Sequence, residues 1–260
     1  MTDQPVAIIS AGASGIGLSC ARALAAAGYR VLTLDINVEA VAAFEAEFGE
    51  GAAVVCDVSH PAQVETAFAL LMGACDRVDV LLNNAGIAGP QQPVEEIEVE
   101  AWQSTINTDL NSLFYLTRLV IPLMKLQRSG VILNMSSSAG RYGCPLRSPY
   151  VASKWAAIGL AQTWAMELGP WNIRVNALCP GSVGGERIER VIQRDAEERG
   201  VSAEDIRTVY QRQSSLRDFA SAEDIAAMVC FLSGPGGRMV SGQTIGIDGH
   251  TESLTNWLDP

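Results

Sequence analysis

Lysine is almost missing from this chain, which has Lys125 and Lys154 alone against sixteen arginines. Histidine is as scarce: His60 and His250 are the whole supply, which leaves little for a zinc site. The six cysteines (Cys20, Cys56, Cys75, Cys144, Cys179, Cys230) are scattered, with no Cys-x-x-Cys and no histidine pair nearby. Free thiols in a reducing cytoplasm are therefore expected, rather than disulfides or metal ligands. Positive charge is also in deficit. A net charge of −11 argues against nucleic acid or an anionic membrane surface as the main partner. No uninterrupted apolar run reaches the roughly 18 residues of a membrane span. No basic stretch followed by a long apolar one opens the chain, so no signal peptide is expected.

What is present suits a globular protein: 260 residues, 48% hydrophobic and 18% charged, enough to bury a sizeable core in one large α/β domain or two small ones. Val6–Ser10 is a short apolar run. It ends in the glycine-rich turn Ala11-Gly12-Ala13-Ser14-Gly15-Ile16-Gly17, and a helical pattern from Leu18 to Ala27 follows. Strand, glycine turn and helix place phosphates on backbone N–H groups at a helix N-terminus. No Gly-Lys-Ser/Thr follows the turn, so a P-loop phosphotransferase is not supported. Arg30–Asp35 reads as the second strand, and Asp35 falls where an acidic residue would hold adenosine ribose hydroxyls. Asp35 would repel a 2′-phosphate, and Ile36-Asn37 offer no cation for one, so NAD is favoured over NADP. A solvated or helix-capping carboxylate is the alternative for Asp35.

Val38–Phe48 and Pro61–Met72 read as helices, with Ala52–Val55 and Val80–Leu82 as strands between and after them. Strands alternating with helices of this length imply a parallel sheet with right-handed crossovers. Ligands on such sheets bind at the carboxyl ends of the strands. Asp35, Asp57, Asn84 and Gly86 all sit there.

Further on, Tyr150-Val151-Ala152-Ser153-Lys154 places a phenol and an ammonium four residues apart, on one face of a helix. A free phenol ionises near pH 10 and carries protons poorly at neutrality, but a neighbouring cation favours the phenolate. Ser136-Ser137-Ser138, upstream at the end of a strand-like run, supplies hydroxyls. Phenol, ammonium and hydroxyl make an acid/base site for alcohol–carbonyl interconversion. A chance Tyr-x-x-x-Lys remains the alternative for the spacing alone.

Gly15-Ile16-Gly17, Asp57, Asn83-Asn84-Ala85-Gly86, Ser137, Tyr150-x-x-x-Lys154 and Pro180-Gly181-Ser182-Val183 together resemble the short-chain dehydrogenase/reductase family, over essentially the whole chain. The resemblance implies an α/β fold: one Rossmann-type domain over 1–260, a doubly wound seven-stranded parallel sheet in three αβα layers, assembled as a tetramer or else a dimer. It implies hydride transfer at nicotinamide, with Tyr150 as general acid/base. Lys154 would favour the Tyr150 phenolate and hold the nicotinamide ribose, and Ser137 would hydrogen-bond the substrate oxygen. Asp57 and Val58 would contact adenine. Ser10, Gly12, Ser14, Gly15 and Ile16 would cradle the pyrophosphate, with Asp35 and Ile36 beside the adenosine ribose. Asn84, Ala85, Gly86, Pro180, Gly181 and Val183 would line the nicotinamide.

Three departures stand out. Ser10-Ala11 replaces the Thr-Gly that usually begins the glycine turn, with Gly12 following. Asp109 falls where the family often has Asn; it keeps the backbone carbonyl that helps hold a water for the lysine but changes the side chain. Gly185 replaces a Thr expected shortly after Pro-Gly.

In the second half, Trp102–Gln127 and Pro149–Leu168 read as long helices. Their apolar positions Leu113, Leu116, Trp155, Leu160 and Trp164 are expected on outer faces that meet a neighbouring subunit, an ordinary helix–sheet face being the alternative. Residues 184–215 read as one or two amphipathic helices forming a mobile lid, with a stripe of Ile188, Val191, Ile192, Ile206 and Val209. The tail His250–Pro260, with Trp257 and Leu258, is apolar enough to reach a neighbour or the lid. The loop Gly140–Pro149 must pass close to the chemistry and carries Cys144 and two arginines. Arg147, or failing that Arg141, is expected to pair with a carboxylate or sulfonate on a small hydroxylated substrate; a salt bridge to lid carboxylates is the alternative. The leading expectation is an NAD-dependent secondary-alcohol dehydrogenase for a polyol, sugar or sugar acid. A 3-ketoacyl reductase and a non-catalytic nucleotide sensor are the rivals.

Overall fold

The computed structural model describes residues 4–73 and 75–255 and, at residue 187, the backbone alone. Seven strands form one sheet in the order β3-β2-β1-β4-β5-β6-β7, every neighbouring pair parallel. They are β1 (Val6–Ser10), β2 (Arg30–Asp35), β3 (Ala53–Val55), β4 (Val80–Asn83), β5 (Gly130–Met135), β6 (Ile173–Pro180) and β7 (Thr244–Ile247). The central strands are apolar along their length because helices cover both faces. Ile8, Ile9, Leu81, Leu82, Ile132, Leu133 and Val175 are fully buried. The order reverses between β1 and β4, and in an open parallel sheet that reversal opens a crevice beyond the strand ends.

The helices are α1 (Gly15–Ala26), α2 (Val38–Phe48), α3 (Pro61–Met72), α4 (Val99–Ile106), α5 (Ser112–Gln127), α6 (Ser148–Leu168), α7 (Glu186–Arg199), α8 (Ala203–Arg212) and α9 (Ala222–Ser233). Two features position the site. A π-helical turn at Asn107–Asn111 joins α4 to α5, so the stretch expected as one regular helix carries a bulge. Ser136 Oγ donates to the Lys154 carbonyl at 2.7 Å, pinning the end of β5 to α6.

The outer-face expectation for α5 and α6 needs correction. Leu113, Leu116 and Trp164 are buried in the core, and Leu160 is partly buried against it. Trp155 does face outward, 50% exposed as expected, and with it stand Phe114 at 52% and Met166 at 82%. The π turn is one reason. It adds a residue to the count and so rotates everything after Asn111 from the face a regular helix would give.

Helices α7 and α8 pack on each other through Ile188, Ile192, Ala196 and Ile206, with Val191, Tyr210 and Phe219 partly buried against them, as a small cluster separate from the main core. Among the described residues no helix is long and apolar enough to cross a membrane. Trp257 and Leu258 of the tail lie outside the described residues.

Candidate functional site

The glycine turn is held from below. Gly12 N–H donates to Thr33 Oγ1 at 2.9 Å, and a Cβ on Gly12 would lie 2.5 Å from that same oxygen, so no larger residue fits. Ala11 adopts φ 51°, the left-handed region where a side chain is strained. Alanine at this position is thus accommodated with backbone strain, anchored by Ala11 N–H to Leu34 O at 2.7 Å. Ser10 is buried, and its hydroxyl accepts from Asn84 N–H and Ala85 N–H, both at 3.0 Å. Asn84 Nδ2 in turn donates to Ser10 O and Ala11 O. Ser10 and the Asn84 amide are therefore occupied in tying β1 to β4, and they shape the turn from beneath. Ser14 caps α1 in extended conformation with no side-chain cap bond, and it is exposed with Gly15, leaving the first amides of α1 open.

Asp35 is buried at the end of β2. Its Oδ2 accepts from Ala13 N–H at 3.1 Å and its Oδ1 from Asn37 N–H at 3.0 Å. Each carboxylate oxygen keeps a further lone pair for an incoming hydroxyl. Ile36 beside it is 66% exposed. Asp57, at the end of β3, accepts from Ser59 N–H and lies 3.2 Å from His60 Nδ1. Burial works against its charge, yet the Ser59 hydrogen bonds and His60 hold the carboxyl below its ordinary value. Val58 next to it is buried, and Ile16 half-buried.

Tyr150 is half-buried on α6, with the Lys154 ammonium 5.4 Å from its ring centre. Its hydroxyl makes no hydrogen bond among the described residues. Lys154 is buried and donates to Met135 O at 3.2 Å. Its second partner is Asp109, whose Oδ2 lies 3.5 Å from Nζ with both side chains almost wholly enclosed. Asp109 Oδ1 accepts from Ile87 N–H at 2.7 Å. The structure thus brings the Asp109 carboxylate itself to the lysine, where sequence reasoning had kept only its carbonyl in view. Gly86 lies above both: a Cβ there would sit 3.1 Å from Lys154 Nζ and 3.5 Å from Asp109 Cγ. A side chain at this position would crowd the pair, so the Gly86 backbone packs directly against it.

Ser137 is extended and accepts from Ala139 N–H at 3.1 Å, and the turn it opens (Ser138–Gly140) packs on α6. Pro180 ends β6. Gly181 N–H then bonds Ile247 O, and Val183 bridges Ala220, so this stretch is fixed at both ends. Gly185 takes φ 130° and opens α7. Of the two loop arginines, Arg141 lies 3.6 Å from Asp248. Arg147 forms no ion pair among the described residues: it donates from Nη2 to Ala88 O at 2.9 Å and sits 5.0 Å over the Tyr150 ring. The expected alternative, pairing with a lid carboxylate, is not what the structure shows. Cys144 is half-buried; burial lifts its thiol above the ordinary value and nearby Arg147 opposes the rise.

Sequence reasoning missed Ser136 as a clamp and Asp195 on α7, buried with Oδ1 accepting from Arg199 Nε at 2.7 Å. Asp195 had a signal: a charge in register with Ile188 and Ile192 on the apolar stripe. Among the described residues no cluster of metal-ligating side chains occurs. The open α1 amides, Asp35 and the Tyr150/Lys154 pair fit a dinucleotide lying across the strand ends.

Residues 10–250 match the family model described as Enoyl-(Acyl carrier protein) reductase. The chain belongs to the short-chain dehydrogenase/reductase family. It is 36% identical to the 3-oxoacyl-(acyl-carrier-protein) reductase FabG of Thermotoga maritima over 94% of this chain and 96% of that one. It is 35% identical to the 2-dehydro-3-deoxy-L-rhamnonate dehydrogenase (NAD(+)) of a Sphingomonas strain, over 87% of each. Among solved structures it is similar to an actinorhodin polyketide ketoreductase with NADPH: TM-score 0.89 at 30% identity, covering 98% of each chain. As a short-chain dehydrogenase/reductase, the protein is an oxidoreductase of small molecules that uses NAD(H) or NADP(H).

Proposed function

We propose that this enzyme interconverts a secondary alcohol and a ketone on a polyol, sugar or sugar acid, with NAD as its cofactor. The observation that carries the reading is the half-buried Tyr150, its hydroxyl unspent among the described residues, with Lys154 and Arg147 both close to its ring. Bound NAD would supply the hydride acceptor. The amides of Ser14, Gly15 and Ile16 would hold its pyrophosphate, with Gly12 shaping the turn beneath it, Asp35 would hold its adenosine ribose, and Asp57 and Val58 its adenine. Ala85, Gly86, Pro180, Gly181 and Val183 would bound the nicotinamide. Tyr150 takes the proton from the substrate hydroxyl at its phenolic oxygen, with the Lys154 ammonium beside its ring. Ser137 Oγ steadies the substrate oxygen, and Asp109 holds Lys154 in place. Helices α7 and α8 act as a lid over the substrate, as their separate core suits.

NAD is preferred on the strength of Asp35, a buried anion that a 2′-phosphate would have to face, flanked by exposed Ile36 rather than a cation. The sugar-acid reading draws on the rhamnonate-type relative. The FabG relative favours a 3-ketoacyl reductase as second reading. Exposed Phe114, Trp155 and Met166 support assembly into a homo-oligomer through α5 and α6.

Tyr150→Phe is the test. Turnover should fall by about 100-fold or more while NADH still quenches protein fluorescence; retained turnover refutes the assignment. The same titration with NADPH should be far weaker, and oxidation of an alcohol panel separates polyol and sugar substrates from 3-ketoacyl thioesters.

A further inference from the structure

Arginine is abundant at the catalytic end, and most of it is matched to acid. Arg141 meets Asp248, Arg190 meets Glu186, Arg194 meets Glu198, Arg199 meets Asp195, and Arg207 meets Glu189. Arg147 has no carboxylate among the described residues, although it stands closer to the chemistry than these. Its Nη2 is anchored on Ala88 O, its guanidinium faces the Tyr150 ring, and its Nε is buried with no hydrogen-bond partner among the described residues.

The arrangement is only partly matched. Ala88 O and the Tyr150 ring face hold the half-buried guanidinium, but its buried Nε has no acceptor among the described residues, and an unmet donor of that kind is costly. The backbone beside it is strained as well. Leu146 adopts φ 64°, held there by Gln92 N–H bonding to Leu146 O at 3.0 Å. Strain of this kind persists where the surroundings fix it, and it clusters at ligand sites. Arg147 thus occupies the N-cap of α6 with no side-chain cap bond, so the positive end of that helix adds to its field. Cys144 and, from the lid, Tyr210 share this space: the charge of Arg147 acts on both. Arg147, Tyr150 and Lys154 follow one another at helical spacings of three and four, one stripe running from the loop to the ammonium.

We infer that Arg147 is the receptor for an anionic group on the substrate, so that among polyols, sugars and sugar acids this enzyme takes the acids. A carboxylate matches the fork of a guanidinium, and bound there it places a carbinol a short distance away over Tyr150. This rests on the dehydrogenase reading above and narrows it to hydroxy acids and their keto counterparts.

The test uses the full-length protein loaded with NADH, titrated with gluconate and with sorbitol, its neutral polyol, and read by nicotinamide fluorescence. In parallel, NAD reduction is measured over matched acid and neutral substrates. Wild type should bind gluconate more tightly than sorbitol by on the order of tenfold or more, the effect of one charge-assisted pair. Arg147→Gln should erase that preference, and Arg147→Lys should keep part of it. In turnover, Arg147→Gln should lower kcat/KM for acids by about tenfold more than for neutral polyols. No preference for the acid in wild type overturns the inference, whatever the variants do, and so does equal loss on acids and neutrals. Oxidation of neutral polyols alone sinks the acid preference and leaves the dehydrogenase standing. Arg147-dependent gluconate binding without oxidation of any alcohol supports the receptor and sinks the dehydrogenase reading.

Discussion

The Lys154 ammonium and the Asp109 carboxylate lie 3.5 Å apart, and water reaches almost none of either. Asp109 spends its other oxygen on Ile87 N–H, so one side chain links the lysine to the loop that follows β4.

Replacing Asp109 separates these two duties. Asp109→Ala leaves a buried cation uncompensated and an amide unmet, and should cost about 3–5 kcal/mol of stability together with most of the activity. Asp109→Asn keeps an acceptor for Ile87 and should lose much less stability. Urea melts and steady-state rates on both variants decide it; equal losses would show that the charge facing Lys154, and not the bond to Ile87, carries the whole effect.

Cofactor choice should yield at Ile36 without disturbing Asp35, whose carboxylate holds Ala13 and Asn37 in place. Ile36→Arg puts a cation on an exposed site beside the adenosine ribose. One charge-assisted bond contributes about 1.5–3 kcal/mol, so kcat/KM with NADP should rise by roughly tenfold or more with the melting temperature unchanged. No gain would place the 2′-hydroxyl elsewhere.

Stability should fall at high pH through two buried thiols. Burial, with Cys230 adding, pushes Cys20 from 9.0 to about 12, and burial, with Asp57 adding, takes Cys56 from 9.0 to about 11. Above pH 9 the unfolded chain gives up these protons while the folded one keeps them. The unfolded state then binds fewer protons, and stability declines with rising pH. It is fully present below pH 9 and is lost progressively toward pH 11–12. Urea midpoints from pH 7 to 10.5 should drop, and Cys20→Ala should flatten the slope; an unchanged slope in that variant contradicts the assignment.

Trp155 is half-exposed near the middle of a long helix. If α5 and α6 meet a second copy, Trp155→Glu should reduce the mass seen by light scattering to that of a smaller assembly while the far-UV spectrum is retained. A wild type that runs as a monomer removes the proposal.

Much of this was legible in the residues. Strand β2 and helices α2 and α3 have the bounds that patterning gave them, because Gly28, Asn37, Pro61 and Gly73 punctuate them. Helices α7 and α8 follow the spacing of Ile188, Ile192 and Ile206. Tyr150 and Lys154 were readable because four residues make one helical turn. What was hidden depended on tertiary contact. No pattern says that Ser10 faces Asn84, that Asp109 reaches Lys154, or that Arg147 goes without a carboxylate while Arg141 finds Asp248. The burial of Leu113, Leu116 and Trp164 was misjudged because the π turn changes which face of α5 looks inward and α6 packs between the sheet and α4.

That widened turn makes the site sensitive to length rather than composition. An ordinary α-helix advances by about 100° per residue, so deleting one residue between Asn107 and Asn111 would let the segment relax into regular winding. The acid would then swing off the ammonium even if every functional side chain were still encoded. Substitutions along Thr108 or Leu110 should be tolerated far better than the loss of either, and a gap at this point in any variant should be read as damage to the Asp109–Lys154 pair.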